Sequence, residues 1–279
     1  MLSQPTQSAA QGEVKQLGFI GGGVMAEAIL SRLLAQGIYL PSTVVVSDVS
    51  SDRLGYLQQT YQVATTTSNR VVANTAQAVV LAVKPQSFDA IAAELSGARL
   101  NDSLWISILA GVPLARLECA LGAHPMIRVM PNTPATVGAG MTALTLGQYA
   151  LPRHQAIAEQ IFAAVGEVIT VPEQWMDAVT GLSGSGPAFV AIAIEAMTDG
   201  GVAAGLPRAI SAQLALQTVL GTAELLKQKQ LHPAVLKDQV TSPGGTTIAG
   251  VASLEASGFR SALIQAVQAA YRRSQELGQ

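Results

Sequence analysis

The chain has 279 residues, with 18 Asp plus Glu against 16 Lys plus Arg, a formal net charge of −2, and no long run of either sign. A nucleic-acid binder needs a basic face to neutralise phosphates, and aromatics at 4% offer no stacking platform, so the composition argues against nucleic acid as a partner. Charged residues are 12% and the AVILMFWYC set is 49%, which excludes disorder and requires a large core of small aliphatic side chains.

Residues 1–15 are polar, with neither a basic start nor an apolar centre, and are expected to be a disordered tail rather than a signal peptide. From 16 to 171, β-rich runs alternate with helical patterns, the sign of βαβ units and a mainly parallel sheet. The predicted strands are 16–20, 43–47, 77–83, 104–109 and 126–130, with 140–145 and 167–171 as additions. Between the first two, residues 24–36 place Ile29, Leu33 and Leu34 on one helical face, with Gly37 as the stop. After Pro172 the β-branched runs cease, and Gly-Pro, Leu-Pro, His-Pro and Ser-Pro-Gly-Gly punctuate helical text. The expectation is an α/β domain over 16–171 followed by an all-α domain over 172–279.

Residues 186–205 form the longest apolar stretch, yet contain Glu195, Asp199 and four glycines, so a buried helix is expected rather than a membrane span. That helix is apolar nearly all round, and a helical domain this small cannot cover it alone. A homo-oligomer with an all-α interface follows, against the simpler option of a monomeric bundle. Cys119 is the one cysteine, so no intramolecular disulfide or zinc spacing exists, and a reducing cytoplasm is the natural compartment. His124, His154 and His232 are isolated, and no metal site is expected.

The segment GFIGGGVMAEAIL carries G-x-G-x-x-A at Gly21, Gly23 and Ala26, directly after a strand and opening a helix. Gly21 serves the tight turn, Gly23 the close approach of a pyrophosphate, and Ala26 helix-to-strand packing, while the helix start offers N–H groups to phosphate. The acid that completes a dinucleotide site is Asp48, placed to accept from the adenosine ribose hydroxyls of NAD. Its charge would oppose a 2′-phosphate by about 4 kcal/mol per charge pair at ~4 Å in an effective dielectric of 20. Ser47, Ser50, Ser51 and Arg53 alongside could instead form a phosphate pocket. The two readings conflict: if Asp48 turns away, NADPH is usable; if it points in, NADH wins. A third option is that Asp48 only caps the following turn.

Farther on, VVLAVKPQ ends a strand in Val83-Lys84-Pro85, which should edge a cofactor cleft, although Lys84 equally suits a solvated strand end. SILAGV, residues 107–112, reads as another cleft wall. MIRVMPNTPATVGAGMTAL, residues 126–144, has the rigid turns and short polar groups of a ligand-positioning loop. In VTSPGGTTIAG, residues 240–250, a helix starts near Thr246, and the amides of Gly244, Gly245, Thr246 and Thr247 would form a nest for a small carboxylate.

Taken together, these segments resemble pyrroline-5-carboxylate reductases, from about Leu17 to Gly278. LKDQVTSPGGTTIAGVASLE and GFRSALIQAVQAAYRRSQELG carry the resemblance most specifically; GFIGGGVMAEAI is shared by many dehydrogenases. The resemblance implies a Rossmann domain followed by a helical dimerisation domain, a homodimer through the C-terminal helices that assembles into rings such as decamers, and an active site that includes the partner subunit. It implies NADPH or NADH as cofactor and 1-pyrroline-5-carboxylate as substrate, reduced to L-proline. Its carboxylate-binding loop falls on Ser242, Gly244, Gly245, Thr246 and Thr247, with Thr247 at the substrate ring nitrogen. Its cofactor contacts fall on Gly21, Gly22, Gly23, Val24, Met25, Asn69, Ala82, Val83, Lys84, Ala110, Met130, Pro131 and Asn132. Asp48, Ser50 and Arg53 add to that set from the residues themselves. Members that prefer NADPH commonly carry an uncharged residue where this chain has Asp48, which puts that preference in doubt here.

Two other readings are weighed. A β-hydroxyacid dehydrogenase-like enzyme shares the domain order but needs a catalytic lysine on the long helix after the domain break, and the helix from Pro187 has none. A catalytically silent NAD(P)-sensing module would have no need of SPGGTT.

Overall fold

A computed structural model describes residues 17–96 and 103–278. The tail expected over 1–15 lies outside the described residues. In chain order the elements are β1 (Leu17–Ile20), α1 (Val24–Ala35), β2 (Val44–Ser47), α2 (Ser51–Tyr61), β3 (Ala64–Thr66), α3 (Asn69–Thr75), β4 (Ala78–Leu81), α4 (Phe88–Leu95), β5 (Leu104–Ser107), α5 (Leu114–Leu121), β6 (Met126–Met130), β7 (Gly140–Leu146), α6 (Pro152–Ala163), β8 (Gly166–Thr170), α7 (Met176–Val179), α8 (Gly186–Ala203), α9 (Arg208–Lys229), α10 (Pro233–Gln239), α11 (Thr246–Ala256) and α12 (Phe259–Leu277).

The chain divides into two compact units: residues up to Gly184 together with those from Tyr271 onward, and Ser185–Ala270. In the first, one sheet runs β3-β2-β1-β4-β5-β6-β7-β8. Its first six positions follow the 3-2-1-4-5-6 order of a Rossmann fold, all parallel, and the order reverses between β1 and β4. β7 returns antiparallel to β6, and β8 pairs parallel to β7 after the α6 crossover.

The central strands β1, β4 and β5 are almost wholly apolar because both faces are covered. Phe19, Val80 and Ile106 face one apolar layer with Ile29, Leu33 and Ile161. Their chain neighbours Ile20, Val79 and Trp105 face the other, with Phe88, Leu95 and Leu117. This period-two exchange fixes register, since a one-residue slip would exchange the two faces.

The predicted strands are all present, but several end earlier. β4 stops at Leu81 and β5 at Ser107, so Val83, Lys84 and residues 108–112 lie in the connections beyond the strand ends. β3 has no counterpart in the sequence reading: it is three residues long, half exposed, and held to β2 by backbone pairing rather than by an apolar run. Gly37, the predicted stop of α1, has φ +68°, the left-handed conformation that ends helices.

In the second unit, Ser211 Oγ on α9 donates to the Thr198 carbonyl of α8 at 2.6 Å. Close approach of the two helices requires Gly201, where a Cβ would stand 2.1 Å from Ser211 Oγ. Within the single chain the helix expected over 186–205, whose covering the sequence assigned to a partner chain, has Thr198 as its buried residue, whereas Val190, Ile192 and Met197 are exposed. So are Leu214, Leu216 and Leu220 of α9. Glu173–Ala203 and Arg208–Lys229 are long and apolar enough to cross a membrane by length and composition alone. A groove of about 480 Å³ in this unit is lined by Val251, Leu254, Phe259, Leu263 and Ile264 together with the charged Lys237, Glu255 and Arg260.

Candidate active site

β1 ends in a buried glycine turn at the point where strand order reverses. Gly21 N–H donates to the Ser47 carbonyl at 2.8 Å, and Ala82 N–H to the Ile20 carbonyl at 2.8 Å, which pins the loop between β2 and β4. Gly21 has φ +97°, and a Cβ there would lie 2.6 Å from the Ala82 carbonyl oxygen, so the turn admits glycine alone. Gly23 is different: a Cβ there would meet nothing within 4 Å. Its backbone borders open space at the start of α1, whose N-terminus carries no side-chain cap. The amides of Val24 and Met25 follow it in the first turn. That combination suits a pyrophosphate, which needs bare backbone and oriented N–H groups.

Asp48 extends from the end of β2 toward this loop. Its Oδ2 accepts from Gly22 N–H at 2.8 Å and its Oδ1 from Ser50 N–H at 2.9 Å, so it both faces the glycine loop and caps the following turn. Ser50, expected in a phosphate pocket, uses its hydroxyl to cap α2 by accepting from Arg53 N–H at 3.2 Å. Arg53, expected beside it, is engaged elsewhere: its guanidinium donates to the Gly22 carbonyl and pairs with Glu27. Tyr56 and Tyr61 hydroxyls donate to the other Glu27 oxygen at 2.9 and 2.8 Å. Burial raises the Glu27 pKa, but the bonds from Arg53, Tyr61 and Tyr56 outweigh it and hold the carboxyl below its ordinary value. This cluster was missed in the sequence because Glu27 and Tyr61 are 34 residues apart and meet only through α1–α2 packing.

Asn69 stands at the start of α3, where its Oδ1 accepts from Ser47 Oγ at 2.7 Å and its amide donates to Glu94 at 2.7 Å. Ala82 and Val83 are half-buried beyond β4, and Lys84 is exposed. Ala110 is half-buried beyond β5. Met130 and buried Pro131 lead from β6 to Asn132, whose Oδ1 accepts from Met141 N–H at 2.8 Å and whose amide donates to the Ser183 carbonyl at 3.1 Å. Ser183 belongs to a π-helical turn, Thr180–Gly184. Asn132 therefore ties the loop after β6 both to β7 and to this turn.

A second feature of this unit escaped the sequence reading. The Arg128 guanidinium is buried, 3.5 Å from Glu173 and 3.8 Å from Asp177. Glu173 also accepts from Leu114 N–H at 2.6 Å. A cavity of about 250 Å³ lies beside them, lined also by Gly111, Gln275 and Gly278.

The Ser-Pro-Gly-Gly segment belongs to the second unit. Gly244 has φ +69°, and Gly245 N–H closes the turn on the Ser242 carbonyl at 3.1 Å. A Cβ on Gly245 would lie 2.3 Å from Ser242 Oγ, so the turn and that hydroxyl are held together by the missing side chain. α11 begins at Thr246 with Gly245 as an uncapped N-terminus. Its first-turn amides, with the hydroxyls of Ser242, Thr246 and half-buried Thr247, make an arrangement suited to a carboxylate beside a hydrogen-bonding hydroxyl. Among the described residues no group of three or more His, Cys, Asp or Glu is arranged to hold a metal.

Residues 173–277 match the family model described as pyrroline-5-carboxylate reductase dimerisation, and 16–111 match NADP oxidoreductase coenzyme F420-dependent. A pyrroline-5-carboxylate reductase of Synechocystis is 61% identical over 94% of this chain and 98% of its own length. The chain belongs to the pyrroline-5-carboxylate reductase family. The enzyme of that name from Arabidopsis thaliana is 44% identical over 95% of this chain and 96% of its own. Among solved structures, a pyrroline-5-carboxylate reductase from Coxiella burnetii superposes with a TM-score of 0.88, at 37% identity, over 96% of this chain and all of that one (100%). The Plasmodium falciparum pyrroline carboxylate reductase with NADP bound gives 0.84 at 31% identity, covering 96% and 99%. A prephenate dehydrogenase from Aquifex aeolicus, at 12% identity and a TM-score of 0.55, shares the fold alone.

Proposed function

We infer that this member of the pyrroline-5-carboxylate reductase family reduces 1-pyrroline-5-carboxylate to L-proline with NAD(P)H, the last step of proline biosynthesis. The observation that carries the reading is the presence in one chain of a bare glycine loop at a Rossmann strand reversal and a second uncapped helix start at Thr246. A cofactor-sensing module needs the first and not the second.

The residues fit a dinucleotide: Gly21, Gly22, Gly23, Val24 and Met25 would hold its pyrophosphate, and Asp48 its adenosine ribose. Residues 82–84, Ala110 and 130–132 would line the rest of the cofactor site. When bound, the dinucleotide supplies the hydride that the cyclic imine accepts at carbon. The amides of α11 with the Ser242 hydroxyl would clamp the substrate carboxylate. Thr247 would donate to the ring nitrogen, which makes the adjacent carbon a better acceptor. A strong acid is not needed, because the imine takes its proton through a hydroxyl or from water. Most of the rate would come from orientation, which is worth ~7–11 kcal/mol in well-aligned systems.

The homodimer would form through the apolar faces of α8, α9, α11 and α12, with the partner subunit completing each site and dimers assembling into rings such as decamers. The exposed leucines of α9 and the dimerisation match support a protein partner over lipid for these faces. A cytoplasmic enzyme without nucleic-acid or membrane partners is the consistent picture. The deciding experiment is the initial rate of cofactor oxidation at 340 nm with 1-pyrroline-5-carboxylate, NADH and NADPH in parallel. Absence of turnover in a folded, cofactor-binding, detergent-free preparation overturns the reading.

A further inference from the structure

We propose that this protein selects against the adenosine 2′-phosphate, and therefore prefers NADH to NADPH, through Asp48 and through a Glu27 lock on Arg53. The proposal rests on the reading of the glycine loop as the dinucleotide site and asks which of the two dinucleotides that site takes.

Asp48 cannot readily turn away from the loop. Both of its oxygens are held, one by Gly22 N–H at 2.8 Å and one by Ser50 N–H at 2.9 Å, and rotation would leave two backbone amides without their acceptor. A carboxylate oxygen has a second lone-pair site, so it can still accept from a ribose hydroxyl. A phosphate in the same place would meet it charge against charge.

The basic group that could compensate is withdrawn from that role. Arg53 donates to the Gly22 carbonyl, reaches the Gly23 carbonyl at 3.5 Å, and pairs with Glu27. Its guanidinium also lies over the Tyr56 ring, 5.1 Å from the centroid. Glu27 is fixed in turn by the Tyr56 and Tyr61 hydroxyls, and these donors keep it ionised into the acid range, so the pair persists at neutral pH. Ser50 Oγ is taken by the α2 cap, and Asp52 adds a further acid in the first turn of that helix. Asp48 thus faces the glycine loop with its charge while Glu27 holds Arg53, so the donors that a 2′-phosphate would need are already committed.

The test is calorimetric titration of the full-length protein with NAD⁺ and NADP⁺, and with 5′-AMP and 2′,5′-ADP as fragments that differ at the group in question. Wild type is expected to bind NAD⁺ about tenfold or more tighter than NADP⁺. Asp48→Asn should narrow that ratio about fivefold or more by strengthening NADP⁺, and Glu27→Gln, by releasing Arg53, should tighten NADP⁺ while leaving NAD⁺ within about twofold. Equal or tighter NADP⁺ binding by wild type overturns the proposal. So does a ratio that neither variant moves in proteins whose circular dichroism and Tm match wild type; should Asp48→Asn not fold, Glu27→Gln and the fragment pair decide. Turnover of 1-pyrroline-5-carboxylate on the same samples reads the enzymatic assignment separately. Loss of turnover with retained NAD⁺ selectivity sinks that assignment alone, and turnover favouring NADPH sinks the selectivity alone.

Discussion

Ser274 Oγ donates to Asp177 Oδ1 at 2.7 Å, across 97 residues of sequence, and so fastens the end of α12 to the short helix α7. Asp177 lies 3.8 Å from the buried Arg128, whose strand β6 leads directly into the loop carrying Met130, Pro131 and Asn132. The end of the chain is thereby built into the same charged cluster that supports a predicted cofactor loop.

Removing either end of this cluster should cost stability without altering cofactor selectivity. Ser274→Ala is expected to lower unfolding free energy by about 1 kcal/mol, the worth of an ordinary hydrogen bond. Arg128→Met should cost about 1–3 kcal/mol, less than for a fully buried pair because Glu173 and Asp177 are partly exposed. Urea denaturation with a constant m-value checks both, and no change for Arg128→Met would show that the cluster is not stabilising.

The two glycines of the loop should separate folding from binding. Gly21→Ala forces a Cβ against the Ala82 carbonyl at a left-handed φ and is expected to lower Tm markedly. Gly23→Ala meets nothing within 4 Å, so Tm should stay near wild type while dinucleotide affinity falls about tenfold or more. Thermal unfolding paired with calorimetric titration reads the two effects.

For the second unit, Thr247→Ala should reduce kcat/KM about tenfold or more with unchanged circular dichroism, as for a lost hydrogen bond to the reacting imine. Thr247→Ser should recover most of the loss. Full activity in Thr247→Ala would remove this hydroxyl from the mechanism. Gly245→Ala, whose Cβ would displace Ser242 Oγ, should raise KM for the substrate more than it lowers kcat.

The acid limb of stability should depend on Glu27. Its folded pKa is depressed, so its contribution is fully present above the ordinary value of 4.5 and is lost as pH falls through the lower folded value. At the alkaline end Tyr39, pushed up by burial to about 12, and Tyr61, raised by burial and its bond to Glu27, resist ionisation in the fold. Their contribution is therefore fully present below about pH 10 and declines as pH climbs toward the folded values. Tm against pH, with Glu27→Gln flattening the acid limb and Tyr61→Phe the alkaline one, measures both.

Sequence alone determined that strands alternate with helices and then give way to helices, because buried parallel strands read as continuous apolar runs and prolines mark several helix starts. It also pointed to the two uncapped helix starts proposed to hold the cofactor and the substrate carboxylate, since a bare backbone amide is supplied only where the side chain is missing or small, as at Gly23 and Gly245. The strand β3 was not legible, because three half-exposed residues have no periodicity and depend on backbone pairing with β2. Nor was the direction of Asp48, for which the residues allowed three readings. Tertiary structure decided it by bringing Gly22, 26 residues away, within hydrogen-bond distance of the carboxylate. The same holds for Glu27 with Arg53 and for Arg128 with Glu173 and Asp177. Periodicity records what one element buries, whereas a charge pair between elements exists only once their packing has set the distance.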